Sequence, residues 1–508
     1  MRGAVLIGAA ALAASLGACD VGRAQQVDLK PVTPADVAHL TQIATAMSAT
    51  EQESGITADQ MQAIADSPDY AKLSPNYRRT VDELLAQSAF RLGRAGAAHA
   101  AFKRLTEGAE AGPDDWFLRL DSARDAGDYG DAYVAFRRLS KDGVGFEDSM
   151  GDWAIAELDE GFGRLHSVPG AQLELERYLT SRGWQPKDPS FSPDVIHLHQ
   201  ALNLATSGDT QGAGKILAHL TDPAVLAVAA ADRRFDPVRA KLTDPAMGLR
   251  QQLETAKAEA ARDPQSLAAR NNVAHALEAM GRTQEALEAA EAAVADAELL
   301  SPEQRLQPFY QADYDQALAQ KSRLLFSLGH AEEALGIAAS YGCHVCGPNV
   351  GRALLQGRWL VAMGRGREAL IGLRGVKPEA MWFIDRVEAE KLKACAAAQA
   401  GDEAAFKSAI SYLELDGGDV RALANARLCH GDVDGAAEAV KAALADPARR
   451  YMALELLQRY APMPKPTAFQ ADMAARLELL RARPDVVAAV DKVGRIQTLA
   501  MQFIGPIA

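Results

Sequence analysis

The 508-residue chain is acidic, with a formal net charge of −13, and 48% of its residues are hydrophobic while only 6% are aromatic. An acidic body excludes nucleic acid as the partner, because phosphates demand a basic face, and it exerts no electrostatic pull on anionic lipids. Abundant Ala, without alternating apolar and polar runs joined by hairpin turns, predicts an all-α protein with strand content near zero.

Residues 1–18 read as an export segment outside the fold: Arg2 is positive, 4–16 is apolar, and Leu16-Gly17-Ala18-Cys19 follows. That ending resembles the lipobox of bacterial lipoproteins. The resemblance implies cleavage before Cys19, lipidation of its sulfur and acylation of its new amino group. The product would be a membrane-anchored lipoprotein facing the periplasm, on the inner or the outer membrane. Asp20 resembles an inner-membrane retention signal of enteric bacteria. The plain alternative is a secretory peptide cut after Ala24, with Cys19 lost. Removing 1–18 takes away Arg2 alone among the charged residues and moves the charge from −13 to −14. No later apolar run is long enough to span a bilayer.

Residues 19–32 read as a flexible tether. Thr33-Pro34-Ala35-Asp36 is a helix start, followed by Val37, Leu40, Ile43 and Met47 on one face. Thr57-Ala58-Asp59-Gln60 is a capping box before a second helix. Within the N-terminal helices and hairpins of 33–140, Gly93, Ala98, Ala101, Phe102, Arg104 and Leu105 recur thirty-four residues on as Gly127, Ala132, Ala135, Phe136, Arg138 and Leu139. A fixed period of this length marks a solenoid of helical hairpins. Residues 141–193 are irregular, with helices expected over 148–162 and 170–181 and a loop holding Pro186, Pro189 and Pro193. A hairpin resumes in 194–266 with Ala201, Gly208 and Ala213, broken over 232–245 by Pro237 and Pro245. The main array is 267–460. Its best unit is 267–300, with a long second helix over 283–300, and an insertion follows around 301–311. Further turns centre on Gly329, Gly364, Gly401 and Gly431. Residues 461–508 form a C-terminal cap, with helices expected over 467–483 and 485–503 and an apolar tail at 504–508.

The turn glycines Gly93, Gly127, Gly208, Gly281, Gly329, Gly364, Gly401 and Gly431, each followed by a small residue four or five positions on, resemble tetratricopeptide repeats. The resemblance implies a superhelical solenoid with a concave peptide-binding groove. By the repeat register His275, Arg323, Arg358 and Asn425 share one place on the first helix of their units. In that family the place faces the groove. Arg352 and Arg421 lie about one turn toward the N-terminus of Arg358 and Asn425. Such a cationic, hydrogen-bonding strip would hold a carboxylate-bearing peptide; the alternative is that these residues pair with acids of adjacent helices.

Four cysteines besides Cys19 are candidates for two disulfides in an exported chain. Cys343-His344-Val345-Cys346 reads as a loop before Pro348, where a disulfide would pin the turn between hairpins. Thiol exchange is the sharper alternative, without a thioredoxin-like context. A zinc site of Cys343, His344 and Cys346 lacks a second pair, and the His that a c-type haem needs after the second Cys is absent. Cys395 and Cys429 fall on adjacent first helices, but an offset of about one turn makes their bond marginal and two buried thiols the plainer reading. His197-Leu198-His199 point apart on a helix, and His430 reads as a cation at a helix C-terminus. Residues such as Glu285, Glu288 and Glu291 fall on a solvated face. No metal, cofactor or small-molecule substrate is expected. The function that follows is a non-enzymatic scaffold binding a protein partner, in pilus, secretion or envelope assembly. The alternatives are an enzyme or accessory of cell-wall or polysaccharide metabolism, with a catalytic cluster in 141–193, and a periplasmic thiol-redox protein using Cys343 and Cys346.

Overall fold

The computed structural model describes residues 54–108, 111–165, 167–187, 191–300, 310–341, 350–376, 383–415 and 419–502. The export segment, Cys19, the tether, the helix start at Thr33, most of the 301–311 insertion, Cys343, Cys346 and the apolar tail lie outside them. The chain divides into two compact units, Met1–Ala126 and Gly127–Ala508.

In both units the hairpin is made the same way. All eight turn glycines named above have positive φ, between 67° and 91°, a region costly for a side chain with a Cβ. The residue after the glycine then donates back five positions, as Arg282 N does to Leu277 O at 2.9 Å and Arg365 N to Leu360 O at 2.8 Å. This closes the first helix with a Schellman bond. Where Asp follows the glycine, its carboxylate opens the second helix. Asp209, Asp402 and Asp432 each accept from the backbone N–H three residues on.

The first unit holds α1 (Ser54–Ala65), α2 (Pro75–Arg91), α3 (Ala95–Thr106) and α4 (Pro113–Ala126). Helix α1 begins at Ser54, so Thr57 lies inside the helix and does not open it. Met61, Leu85, Ala89, Ala98, Phe102 and Leu105 form the core. Beside it the buried Asp82 accepts from Arg104 Nε at 2.8 Å and from the Tyr70 hydroxyl.

The second unit opens with α5 (Tyr129–Lys141), α6 (Asp152–Gly163), α7 (Ala171–Arg182), α8 (Asp194–Thr206), α9 (Thr210–Leu217) and α10 (Pro223–Ala231). The irregular stretch is where the aromatics gather. Phe136 stands edge-on to Phe146 at 5.9 Å and to Tyr178 at 5.7 Å, and Tyr133 to Phe162 at 5.5 Å. Helix α6 approaches so closely that a Cβ on Gly161 would lie 2.1 Å from the Tyr129 ring. Gly161→Ala is therefore expected to cost about 1–3 kcal/mol by overpacking, read as a lower midpoint in urea unfolding.

The array continues as α11 (Pro245–Arg262), α12 (Leu267–Ala279), α13 (Thr283–Glu298), α14 (Tyr310–Ser327), α15 (Ala331–Ser340), α16 (Val350–Ala362), α17 (Gly366–Arg374), α18 (Phe383–Ala400), α19 (Glu403–Leu413), α20 (Val420–His430), α21 (Val433–Ala445) and α22 (Arg450–Leu457). Its ends meet: α10 packs on both α11 and α22. One core cluster therefore joins Leu198–Phe235 to Leu354–Val490.

Beyond α22 the expected pair of long helices is only partly formed. Helix α23 (Ala468–Ala482) carries a capping box of Thr467 and Gln470, and α24 runs over Pro484–Val493. The chain then stops being helical at Gly494, where a Cβ would meet Leu454 at 2.5 Å and Ala231 O at 2.9 Å. Arg495 N donates to Ala231 O at 3.0 Å. The continuation, β2 (Thr498–Gln502), pairs in parallel with β1 (Arg459–Ala461). These short strands correct the expected helix to residue 503. The buried Gln458 joins the two segments, donating to Arg495 O and accepting from Gln497 N at 2.9 Å.

The C-terminal segment also runs across the hairpin turns. Lys465 N donates to Ser327 O at 3.1 Å, Thr467 Oγ1 to Ala362 O at 2.5 Å, and Arg476 Nη1 to Leu428 O and Cys429 O at 2.6 and 2.9 Å. These acceptors belong to the last turns of α14, α16 and α20, whose carbonyls have no partner within their own helix.

Candidate functional site

The first helices of successive hairpins pack on one another, α12 on α14, α16 on α18 and α18 on α20, and place the register residues of the second unit in a row. His275 of α12 is exposed, while Arg323, Arg358 and Arg421 are about a quarter to a third exposed. The expected cationic strip is corrected at each arginine. Arg323 grips Glu278 of α12 through Nε and Nη2, both at 2.8 Å. Arg358 Nη2 donates to Glu388 of α18 at 3.1 Å, and Glu388 also holds Lys391 at 2.7 Å. Arg421 joins Asp419 at 2.6 Å and Glu455 of α22 at 2.5 Å. Four cations, Arg323, Arg358, Lys391 and Arg421, thus meet four acids, Glu278, Glu388, Asp419 and Glu455. These eight residues form a ladder of charge pairs. The physical reason is that a largely desolvated guanidinium without a counter-charge is too costly to keep.

The titrations follow from this packing. Burial opposes ionisation of Asp419, yet Arg421 beside it holds its carboxyl well below the usual range. Burial lowers Lys391 despite Glu388. Arg352 Nε donates to Tyr341 O at 2.8 Å, and Asn425 is half-buried without a side-chain hydrogen bond among the described residues.

A second polar group lies where the sequence showed no cluster. Helices α6, α7 and α8 pack together and bury Asp159, Glu176 and His199, which are 0%, 1% and 3% exposed. Asp159 Oδ2 is 2.5 Å from His199 Nδ1 and accepts from Gln172 Nε2 at 3.1 Å. Asn203 Nδ2 donates to Gln172 Oε1 at 3.2 Å and to Glu176 Oε1 at 3.3 Å. His197 points elsewhere, to Asp194 at 3.7 Å, and no metal-ligating cluster occurs among the described residues. Asp159 and His199 are forty residues apart, so no local spacing announces them.

Burial, and then the neighbouring Asp159 carboxyl, push Glu176 well above the usual carboxylate range. The folded chain therefore keeps a proton that an unfolded Glu releases. Its stabilising contribution is complete below the ordinary Glu range and declines as pH rises from there toward the folded-state value. Glu176→Gln is expected to abolish that decline. The gain in melting temperature over the parent should be larger at about pH 8 than at about pH 4.

Cys395 and Cys429 form a disulfide, with Cα atoms 5.0 Å apart, which corrects the reading as two thiols. Buried Ala394, Ala396, Ala424 and Ala426 lie on the same two helices, α18 and α20, which pack on one another.

No protein-family model matches the chain, and no curated protein matches it either. Among solved structures, a chain of the APC/C hetero-tetramer Cut9-Hcn1 is similar at 12% identity and a TM-score of 0.28, over 90% of this chain and 94% of that one. The TPR domain of P58(IPK) is similar at 12% identity and a TM-score of 0.21, over 88% and 99%. Yeast Tom70 is similar at 9% identity and a TM-score of 0.25, over 82% and 88%. At TM-scores this low the likenesses add nothing to the hairpin geometry described above, which is that of an all-α, tetratricopeptide-like solenoid.

Proposed function

We propose that this protein is a non-enzymatic interaction scaffold, tethered to a membrane by lipid on Cys19, that binds a segment of an envelope protein along the ladder of residues 275–455. The observation that carries this is the ladder itself. The arginines of Arg323–Glu278, Arg358–Glu388 and Arg421–Asp419 stand partly open to solvent on successive first helices, over acids that are largely covered. Paired charges of this kind suit a segment bearing both carboxylates and amines, because each guanidinium can share its donors with a second acceptor. Assembly of a pilus, a secretion machine or the envelope is the setting proposed for that partner.

Photo-crosslinking in native envelopes tests the reading. Arg323→Gln combined with Glu278→Gln removes one rung without leaving an orphan charge. Loss of the crosslinked partner, with helicity unchanged, is expected; undiminished capture refutes the ladder as the docking face. The anchor is tested separately, since Cys19→Ala should abolish metabolic labelling with palmitate.

A further inference from the structure

We propose that the cavity bounded by α7, α8 and α22 is a binding site for a neutral, hydroxyl-bearing ligand about the size of one sugar ring. The cavity measures about 130 Å³, close to the size of cavity that takes up benzene when its walls are apolar. Here the walls are mixed. Gln172, His199, Asn203 and Thr206 supply polar groups, while Leu202 and the Tyr451 ring supply an apolar side. The Tyr451 ring lies 4.7 Å from that of His199, so a ring ligand can lay its C–H face on the one and its hydroxyl edge toward the other.

The unexplained group is His199 Nε2. It is buried and has no hydrogen-bond partner, although Nδ1 is fixed by Asp159. A buried polar atom left unmatched in this way costs free energy that a ligand can recover. A hydroxyl fits Nε2 in either protonation state, since it both donates and accepts.

Charge argues for a neutral ligand. Arg234, the cation on the wall, is already paired with Asp232. Its Nε and Nη2 hold Asp232 at 3.1 and 2.7 Å, and its Nη1 donates to Thr206 Oγ1 and Pro447 O at 3.0 and 3.1 Å. Asp159 Oδ2 faces His199 Nδ1 at 2.5 Å, and burial opposes ionisation of Glu176 behind it. An ionic ligand would have to compete with these pairings for a counter-charge.

Titration calorimetry on the full chain with glucose, N-acetylglucosamine and glycerol tests this, with acetate and methylammonium as charged probes. Saturable millimolar binding of at least one neutral probe is expected. Ala448→Trp closes the exposed rim of the cavity without touching the buried network, and His199→Gln removes the imidazole. Each, once shown folded by its melting curve, should weaken binding at least about tenfold. If one variant does not fold, the other decides. Absence of binding by every neutral probe, tighter binding of acetate or methylammonium, or unchanged affinity in a folded variant overturns the assignment.

Discussion

Replacing Asp159 with Ala is expected to lower the stability of the second unit by about 2–4 kcal/mol, the cost of leaving two donors without their acceptor. The substitution takes away the acceptor for His199 Nδ1 and for Gln172 Nε2 together. It leaves those two donors without the carboxylate that both address. Asp159→Asn keeps the shape and one acceptor oxygen, so its loss should be smaller by about half, in line with the usual value of one charged hydrogen bond. Chemical denaturation of the two variants beside the parent gives both numbers. A loss under about 1 kcal/mol for the Ala variant would show that the cluster does not hold the three helices together.

Reduction of the Cys395–Cys429 bond is the second large effect. The bond closes a loop of 34 residues between the first helices of adjacent hairpins. A cross-link over a loop of that length restricts the unfolded chain enough to contribute about 3–4 kcal/mol. Both sulfurs are buried, so reductant acts when the hairpins open. The parent unfolded in the presence of tris(2-carboxyethyl)phosphine should lose about that amount. Cys395→Ala with Cys429→Ala should be indifferent to reductant. Identical curves for the parent with and without reductant would contradict the bond.

The parts of the fold that could be read in the chain were those with a local cause. A glycine that must take positive φ, an Asp that caps the next helix, and Ala at fixed intervals all act within a few residues, so the hairpins were legible. The C-terminal strands were not, because 485–503 has a continuous helical pattern. The close approach of Gly494 to Leu454 and Ala231 comes from residues far away in sequence. The ladder was half legible. The register placed Arg323 and Arg358 correctly on first helices, but their acids sit at unequal distances, 45 and 30 residues away, and follow no repeat. Glu278, three residues after His275 on the same helix, was the available hint. The Asp159–His199 pair had no such hint, being built from two helices outside the regular array.

Solenoid stability is ordinarily a sum of repeats and their nearest-neighbour contacts. Here a single segment clasps the turns after α14, α16 and α20 and returns to α10 through Arg495. Repeats that would otherwise fray one by one are tied to a shared lace. Cutting that lace releases several of them at once, so the second unit melts as a block, and the pitch between its hairpins is fixed against the spring-like stretching open to an unlaced array.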